Sequence, residues 1–204
     1  MIIFDFDGVL SDSFGILYKI NKESADRVGI SLSKKEYKSF FKGNIHKTRK
    51  ILFKGDLEKS RRFSEARENF FSLYYTSENV KLFKFVPYLI KKLNKKTELF
   101  IVSSSPKKFV ADILEKNKLI SYFRGIIGVG VWGKRRIIQN YLGETKSIDC
   151  SYFVTDTVGD IKEAKGLGIK IVVVGWGFHS LGALRKFDPD FFVNNYNDLE
   201  KILL

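Results

Sequence analysis

The sequence predicts an α/β fold whose parallel sheet is covered by helices on both faces and interrupted by a helical insertion. Short apolar runs rich in β-branched residues recur through the second part of the chain, at 99–102, 125–127, 152–154, 171–174 and 191–193. Stretches with helical spacing alternate with them, which is typical of a parallel sheet buried on both faces. A further apolar run opens the chain and is separated from the others by the polar stretch 14–80.

The predicted helices lie between the strands and within the polar stretch. In the sheet region they are expected at 86–96, 106–117, 134–142, 158–167 and 196–203. Within 14–80, apolar residues recur at helical steps, at Ile16, Leu17 and Ile20 near the start and at Phe63, Ala66, Phe70 and Leu73 near the end. We therefore predict a core domain formed by 1–13 and 81–204, and an inserted helical domain at 14–80.

The composition excludes several classes of protein. Of the 204 residues, 44% are hydrophobic, which is enough for a sizeable core and argues against disorder. The single cysteine, Cys150, excludes an intramolecular disulfide and fits a reducing compartment. No apolar run approaches the roughly 20 residues of a membrane span, and the N-terminus lacks a signal-peptide pattern. We expect a cytoplasmic protein without a membrane partner, and no pattern predicts an oligomeric state.

The chain is strongly basic, with 36 Lys and Arg against 23 Asp and Glu and a net charge of +13. Such a surface attracts anions, among them phosphorylated metabolites and nucleic acid. Because the basic residues are scattered among acidic ones, a solvated basic surface is the favoured interpretation.

Carboxylates follow two of the predicted strands. Asp5 and Asp7 come directly after the first strand, and Asp156 and Asp160 follow the strand at 152–154. Open parallel sheets bind ligands beyond the carboxyl ends of their strands, so these side chains would meet at one edge. Buried like charges need a partner, and Mg²⁺ prefers oxygen ligands. The four carboxylates therefore predict a magnesium site, although each pair considered separately is also typical of a capped turn.

Groups that bind phosphate are expected at the same edge. Ser103 and Ser104 follow another strand, and Lys134 begins a predicted helix. Gly8 permits a sharp turn that brings backbone N–H groups near an anion. A serine cluster is also typical of a helix N-cap. The convergence of hydroxyl, ammonium and carboxylate groups favours a cation-dependent site for phosphate.

These residues resemble the four motifs of one enzyme family, in order along the chain. The haloacid dehalogenase-like (HAD) hydrolases have motifs similar to Asp-Phe-Asp-Gly-Val-Leu-Ser-Asp-Ser at 5–13, to Ser103 after an apolar run, to Lys134 in Gly-Lys-Arg, and to Thr-Asp-Thr-Val-Gly-Asp at 155–160. The resemblance covers nearly the whole predicted core. It implies a Rossmann-like parallel sheet with a small α-helical cap of the C1 type at 14–80, as in phosphoglycolate phosphatase-like members.

The resemblance also implies a role for each matched residue. Asp5 would be the nucleophile that forms an aspartyl-phosphate, and Asp7 would be the general acid and base. Asp5, the backbone carbonyl of Asp7 and Asp156 would ligate Mg²⁺, with Asp160 in support. The serine and lysine motifs would hold the phosphoryl group.

Asp7 and two departures from the family pattern bear on the reaction. Dehalogenase and phosphonatase members lack an Asp at this position, so the resemblance implies a phosphoric monoester hydrolase. The segment after the first motif also lacks the His of β-phosphoglucomutase-like members. Thr155 stands where the family usually has Gly, and no Pro follows Lys134, so that Arg135 and Arg136 are alternatives for the phosphate-binding cation.

One loop of the insertion resembles the specificity loop of such caps. It contains Lys42, Gly43, Asn44, His46 and Lys47. Its basic residues favour a small phosphorylated substrate with a second anionic group, with phosphoglycolate, sugar phosphates and nucleotides as candidates. A solvated connection between helices is the alternative interpretation.

Two further functions are compatible with the sequence. One is a nucleic-acid- or anion-binding protein on the same fold, and the other is a phosphatase acting on nucleotides or nucleic-acid ends. A polyanion binder gains nothing from clustered carboxylates, because they repel phosphate groups. We therefore favour a Mg²⁺-dependent phosphatase for a small metabolite.

Overall fold

A parallel sheet lies at the centre of the fold. The computed structural model describes residues 1–128, 133–143 and 151–204, so that Cys150 lies outside the described residues. Within these ranges the strands are β1 (Ile2–Phe4), β2 (Ser11–Asp12), β3 (Lys81–Leu82), β4 (Leu99–Ser103), β5 (Gly125–Gly128), β6 (Tyr152–Thr155), β7 (Lys170–Val174) and β8 (Phe191–Val193). Six of them pair in parallel in the order β5-β4-β1-β6-β7-β8, and β2 pairs with β3 in an antiparallel ribbon.

Helices alternate with the strands of this sheet and occupy most of the stretch 14–80. They are α1 (Phe14–Asp26), α2 (Lys34–Ser39), α3 (Ile45–Thr48), α4 (Leu57–Tyr74), α5 (Val86–Leu93), α6 (Lys107–Lys116), α7 (Lys134–Gly143), α8 (Val158–Ala164), α9 (Leu181–Arg185) and α10 (Tyr196–Leu203). Short 3-10 turns form at Phe40–Lys42, Arg49–Phe53 and Ile120–Tyr122.

Strand β1 is central because its faces and its edges are all covered. Ile2 and Phe4 belong to one buried apolar cluster and Ile3 to another. Successive strand residues point to opposite faces, so a core lies on each side of the sheet. Along its edges β1 pairs with β4 and β6. The predicted α/β fold with a parallel sheet is confirmed.

The element boundaries differ from prediction where local backbone geometry ends a helix early. The helix predicted at 158–167 ends at Ala164, because Lys165 leaves the helical region with a ψ of 131° and Gly166 has a φ of +79°. The β2–β3 ribbon and α9 were not predicted, since strands of two residues and a helix of five give no periodic pattern.

The helical spacing predicted near the end of the insertion is confirmed by the long helix α4. Phe63 is buried, whereas Leu73 is 61% exposed. The buried residues beyond Phe63 are Phe71 and Tyr75, which follow at steps of eight and four, on one row of the helix. Arg67 falls on the same row of the helix. Because it is charged, the spacing of apolar residues alone does not identify it as inward-facing.

No helix within the described ranges combines the length and apolar character that crossing a bilayer requires. The cytoplasmic location stays a prediction.

Candidate active site

The predicted carboxylates lie together at the carboxyl edge of the sheet. Asp5 directly follows β1 and Asp156 directly follows β6, and these two strands are parallel neighbours. The amide of Asp5 donates to the carbonyl of Val154 at 2.9 Å, which carries the strand pairing into the site. Asp160 lies in the first turn of α8. Asp5, Asp156 and Asp160 are all nine-tenths or more buried.

Lys134 joins two of these acids. Its Nζ lies 2.7 Å from Asp5 Oδ2 and 2.8 Å from Asp160 Oδ2. Burial raises the pKa of Asp5 well above its ordinary value, although Lys134 opposes this. Burial would also raise the pKa of Asp160, but the ammonium group outweighs it and holds that pKa below its ordinary value. Burial favours a neutral amine at Lys134, and the two carboxylates reverse this and raise its pKa.

Local structure selects Lys134 over its neighbours for this position. Glu163 accepts from the backbone amides of Lys134 and Arg135, which fixes the start of α7. The Arg135 guanidinium is exposed and donates to the carbonyls of Glu163 and Lys165. Arg136 is exposed as well. Neither alternative to Lys134 lines the cavity described below.

Asp7 is held by three hydroxyl groups. Tyr75 donates to Asp7 Oδ1 at 2.5 Å, and Ser105 donates to Asp7 Oδ2 at 2.6 Å. Ser103 Oγ lies 3.4 Å from the same oxygen. Burial, together with Asp7, raises the pKa of Tyr75, so its hydroxyl keeps the proton that it donates. Tyr75 and Ser105 were not predicted; Ser105 belongs to the serine cluster, but no sequence signal links Tyr75 to an acid 68 positions away.

Asp156 has one satisfied and one orphaned oxygen. Its Oδ2 accepts from the amide of Phe178 at 2.6 Å. Its Oδ1 is buried and has no hydrogen-bond partner within the described part of the chain. Burial raises the pKa of this carboxyl to about 7. A buried carboxylate oxygen without a donor is what a site for a cation would contain.

Glycine is required where the backbone passes Asp156. A Cβ on Gly8 would lie 2.1 Å from Asp156 Oδ2, and one on Gly177 would lie 2.3 Å from it. Gly8 also has a φ of +80°, which other residues adopt at a cost. The Gly8 amide donates to the carbonyl of Ser11 at 2.9 Å, so Gly8 shapes the turn and its own N–H is engaged there.

Thr155 adds a contact that a glycine could not make. Its hydroxyl donates to Asp160 Oδ2 at 2.7 Å and therefore helps to place the acid that holds Lys134. The departure from the family pattern at this position thus gives Asp160 a second hydrogen-bond donor.

A cavity of about 60 Å³ joins this edge to the insertion. Asp5, Asp7, Ser104 and Lys134 line it from the sheet side. Of the predicted specificity loop, Gly43, Asn44 and His46 also line it, whereas Lys42 and Lys47 are exposed and are not among its described lining residues. The loop approaches α8 closely, since a Cβ on Gly159 would lie 2.6 Å from the Gly43 carbonyl oxygen.

The residues present fit a hard divalent cation. No cluster of three or more His, Cys, Asp or Glu side chains arranged to hold a metal occurs within 1–128, 133–143 and 151–204. Two carboxylates are nevertheless suited to it, Asp5 and Asp156, of which the second has an orphaned oxygen. The Asp7 carbonyl would complete an all-oxygen donor set. Asp160 already accepts from Lys134 and Thr155 through Oδ2, which suits a supporting position.

A parallel sheet covered by helices, with acids and a lysine at its carboxyl edge, is typical of α/β proteins that bind a ligand beyond the ends of their strands. The family to which the chain belongs follows from a comparison with known families. The model for haloacid dehalogenase-like hydrolases matches residues 2–174. The chain therefore belongs to the haloacid dehalogenase-like hydrolases.

Individual relatives agree with this assignment. A phosphoglycolate phosphatase of Pseudomonas fluorescens is 26% identical over 107 residues, which cover 50% of this chain and 39% of that protein. The matched region is thus less than half of that relative. The crystal structure of a candidate phosphatase from Clostridium difficile is 26% identical, with a TM-score of 0.80 over 100% of this chain and 97% of that one. A haloacid dehalogenase-like hydrolase from Streptococcus pneumoniae is 18% identical and shares the fold, with a TM-score of 0.83 over 100% and 97% of the two chains.

Proposed function

We propose that this protein is a Mg²⁺-dependent phosphatase that hydrolyses a small phosphorylated metabolite through an aspartyl-phosphate at Asp5. The observation that carries the proposal is the meeting of Asp5, Lys134 and Asp160, from three distant segments, at one end of a small cavity. Family membership supports it, and so does the phosphoglycolate phosphatase activity after which the Pseudomonas fluorescens relative is named.

The proposed reaction has two steps. The Asp5 carboxylate attacks phosphorus, a P–O bond to the substrate alcohol breaks, and Asp7 gives its proton to the leaving oxygen. Asp7 then takes a proton from water, whose oxygen attacks the phosphorus of the aspartyl-phosphate and releases phosphate with Asp5 regenerated. Lys134, Ser103 and Ser104 would orient the phosphoryl oxygens. Mg²⁺ held by Asp5, Asp156 and the Asp7 carbonyl would offset their negative charge.

The size of the cavity supports a small substrate. One water molecule takes up roughly 10–15 Å³ of cavity volume. A cavity of about 60 Å³ therefore has room for only a few waters. A phosphate ester of a short alcohol matches this space better than a nucleotide or a nucleic-acid end.

We also propose that 14–80 acts as the cap and that 1–13 with 81–204 forms the catalytic core. Residues from both parts line the cavity, among them Asn44 and His46 from the insertion and Asp5 from the sheet. Closure of such a cap would exclude water from the first step.

Phosphate release from a panel of compounds tests the proposed function. The purified protein with Mg²⁺ is incubated with p-nitrophenyl phosphate, phosphoglycolate, a hexose phosphate, a nucleoside monophosphate and a 5′-phosphorylated oligonucleotide. We expect the highest kcat/KM for the smallest metabolites, and no release in EDTA. Preferred cleavage of the oligonucleotide, or no release from any compound, would contradict the proposal.

Replacing Tyr75 by Phe is expected to lower kcat roughly 10–100-fold, the value of one hydrogen bond to a charged group. KM should change little, because Tyr75 contacts Asp7 and acts as a positioning residue. Steady-state kinetics measure both constants. Tyr74→Phe is the matched control, since Tyr74 is the preceding residue of the same segment and stacks on Phe70 outside the cavity. A kcat equal to that of the control would remove Tyr75 from the mechanism.

A further inference from the structure

Two arginines of the insertion line the same cavity as the acidic residues of the sheet edge. Arg49 begins the 3-10 turn Arg49–Phe53, and Arg67 lies in the middle of α4. Both are half-buried and both line the cavity that contains Asp5. Aromatic rings hold them in place: the Arg49 guanidinium lies 5.5 Å from the ring centre of Phe63, and that of Arg67 lies 5.1 Å from Phe71.

Neither guanidinium has an acidic partner in the described part of the chain. The cavity acids are engaged elsewhere, since Asp5 and Asp160 pair with Lys134, and Asp7 accepts from hydroxyl groups. Arg67 Nε donates instead to the neutral Asn21 Oδ1 at 3.3 Å. Asp7 favours the charged form of Arg67 from beyond ion-pair distance. Two partly desolvated cations without an ion-pair partner are unfavourable, and an anion bound near them would offset this cost.

The electrostatics of the pair agree with this. Burial and the neighbouring Arg67 lower the pKa of Arg49 to about 9, and burial lowers the pKa of Arg67. Arg49 remains charged at neutral pH, and burial disfavours the charged form of both groups. A bound anion would reverse both shifts.

A third group at the same place is also unsatisfied. The Nε2 atom of His46 is buried and has no hydrogen-bond partner among the described residues. Burial and the two arginines lower the pKa of His46 to about 4, so its ring is neutral at pH 7 and can donate one N–H. His46 and Arg67 also share the lining of an adjoining surface pocket.

We propose that Arg49, Arg67 and His46 form a second anion-binding subsite, so that the substrate is a phosphate monoester whose alcohol part carries a carboxylate or a second phosphate. Guanidinium groups bind both anions through paired N–H donors. This inference rests on the proposed phosphatase function and specifies its substrate class. It replaces the exposed Lys42 and Lys47 as the source of selectivity for an anion.

Substrate selectivity of single variants tests the subsite. Initial rates are measured for wild type, Arg49→Met and Arg67→Met with ethyl phosphate, phosphoglycolate and propane-1,3-diol bisphosphate, which carry no second anion, a carboxylate and a phosphate respectively. For each variant we compare kcat/KM for the preferred compound with a second anionic group against kcat/KM for ethyl phosphate. We expect this ratio to fall roughly 10–100-fold in both variants. Which compound wild type prefers identifies the anion. Arg62→Met is the matched control, because Arg62 is exposed on the same helix and is not among the described residues that line the cavity.

Two outcomes are distinguishable from a failure of the phosphatase proposal. The subsite is overturned, while the phosphatase stands, if wild type hydrolyses ethyl phosphate with the same efficiency as the two compounds that carry a second anionic group. It is also overturned if the kcat/KM ratio in Arg67→Met equals that in Arg62→Met. If wild type hydrolyses nothing, binding decides: phosphoglycolate or the bisphosphate should raise the unfolding midpoint of wild type and not of Arg67→Met. Arg67→Lys keeps the charge and serves if the methionine variant does not fold, with an expected smaller loss in the same ratio.

Discussion

Replacing Asp5 by Asn should lower kcat for phosphate ester hydrolysis by roughly 10⁴-fold or more. The amide oxygen of Asn carries no negative charge and is a poor nucleophile, so the aspartyl-phosphate cannot form. The change is nearly isosteric, and Asp5 Oδ1 still has an oxygen counterpart to accept from the amide of Phe6. Phosphate release from p-nitrophenyl phosphate under saturating substrate measures the effect.

Asp12→Asn is the control for this experiment. Asp12 belongs to the same N-terminal stretch but is exposed on β2 and is not among the described residues lining the cavity. Its variant should keep the wild-type rate. If Asp5→Asn retained more than a small fraction of the activity while remaining folded, Asp5 would not be the nucleophile.

Replacing Lys134 by Met should lower the free energy of unfolding by about 3–5 kcal/mol at pH 7, because it leaves buried carboxylates without their counter-charge. Asp5 and Asp160 both lie within 2.8 Å of Nζ. Without the ammonium group, burial raises the pKa of Asp160 as well as that of Asp5. The folded variant then binds protons that the unfolded chain releases, so its stability should increase as the pH falls from 7 towards 5. Denaturant unfolding at both pH values measures this.

A second substitution separates the charge effect from a loss of packing. In Lys134→Met/Asp160→Asn, one of the unpaired carboxylates is removed, and part of the lost stability should return. Arg135→Met, which changes an exposed cation one residue away, should be near wild type. A decrease below about 1 kcal/mol for Lys134→Met would mean that the ion pairs do not hold the site together.

The sheet and the acidic edge could be predicted because simple rules connect them to sequence. Fully apolar β-branched runs predict buried parallel strands, and the strand ends then place Asp5 and Asp156 side by side. Lys134 could be predicted as the buried cation, but the exclusion of Arg135 depends on its contacts with the carbonyls of Glu163 and Lys165.

The insertion's share of the site could not be predicted in the same way. Tyr75 reaches Asp7 only because α4 packs against α1 and directs its C-terminus at the sheet edge. Arg67 lies on the inward row of α4 where a hydrophobic pattern expects an apolar residue. Charged residues on an inward face read as breaks in a pattern, and only the fold shows that they line a cavity.

We propose that Asp5 and Asp156, from distant parts of the chain, share one cation, and a Mg²⁺ titration of thermal unfolding tests this most directly. At pH 8, with Mg²⁺ at roughly tenfold its dissociation constant, the unfolding midpoint should rise by about 3–6 °C. The rise should be smaller at pH 5, because the pKa of Asp156 is raised to about 7 and protons then compete with the metal. In Asp156→Asn the metal-free protein should be more stable at pH 8, since a buried charge is gone, and the response to Mg²⁺ should vanish. A wild-type midpoint that ignores Mg²⁺, or an equal rise in wild type and Asp156→Asn, would contradict the account.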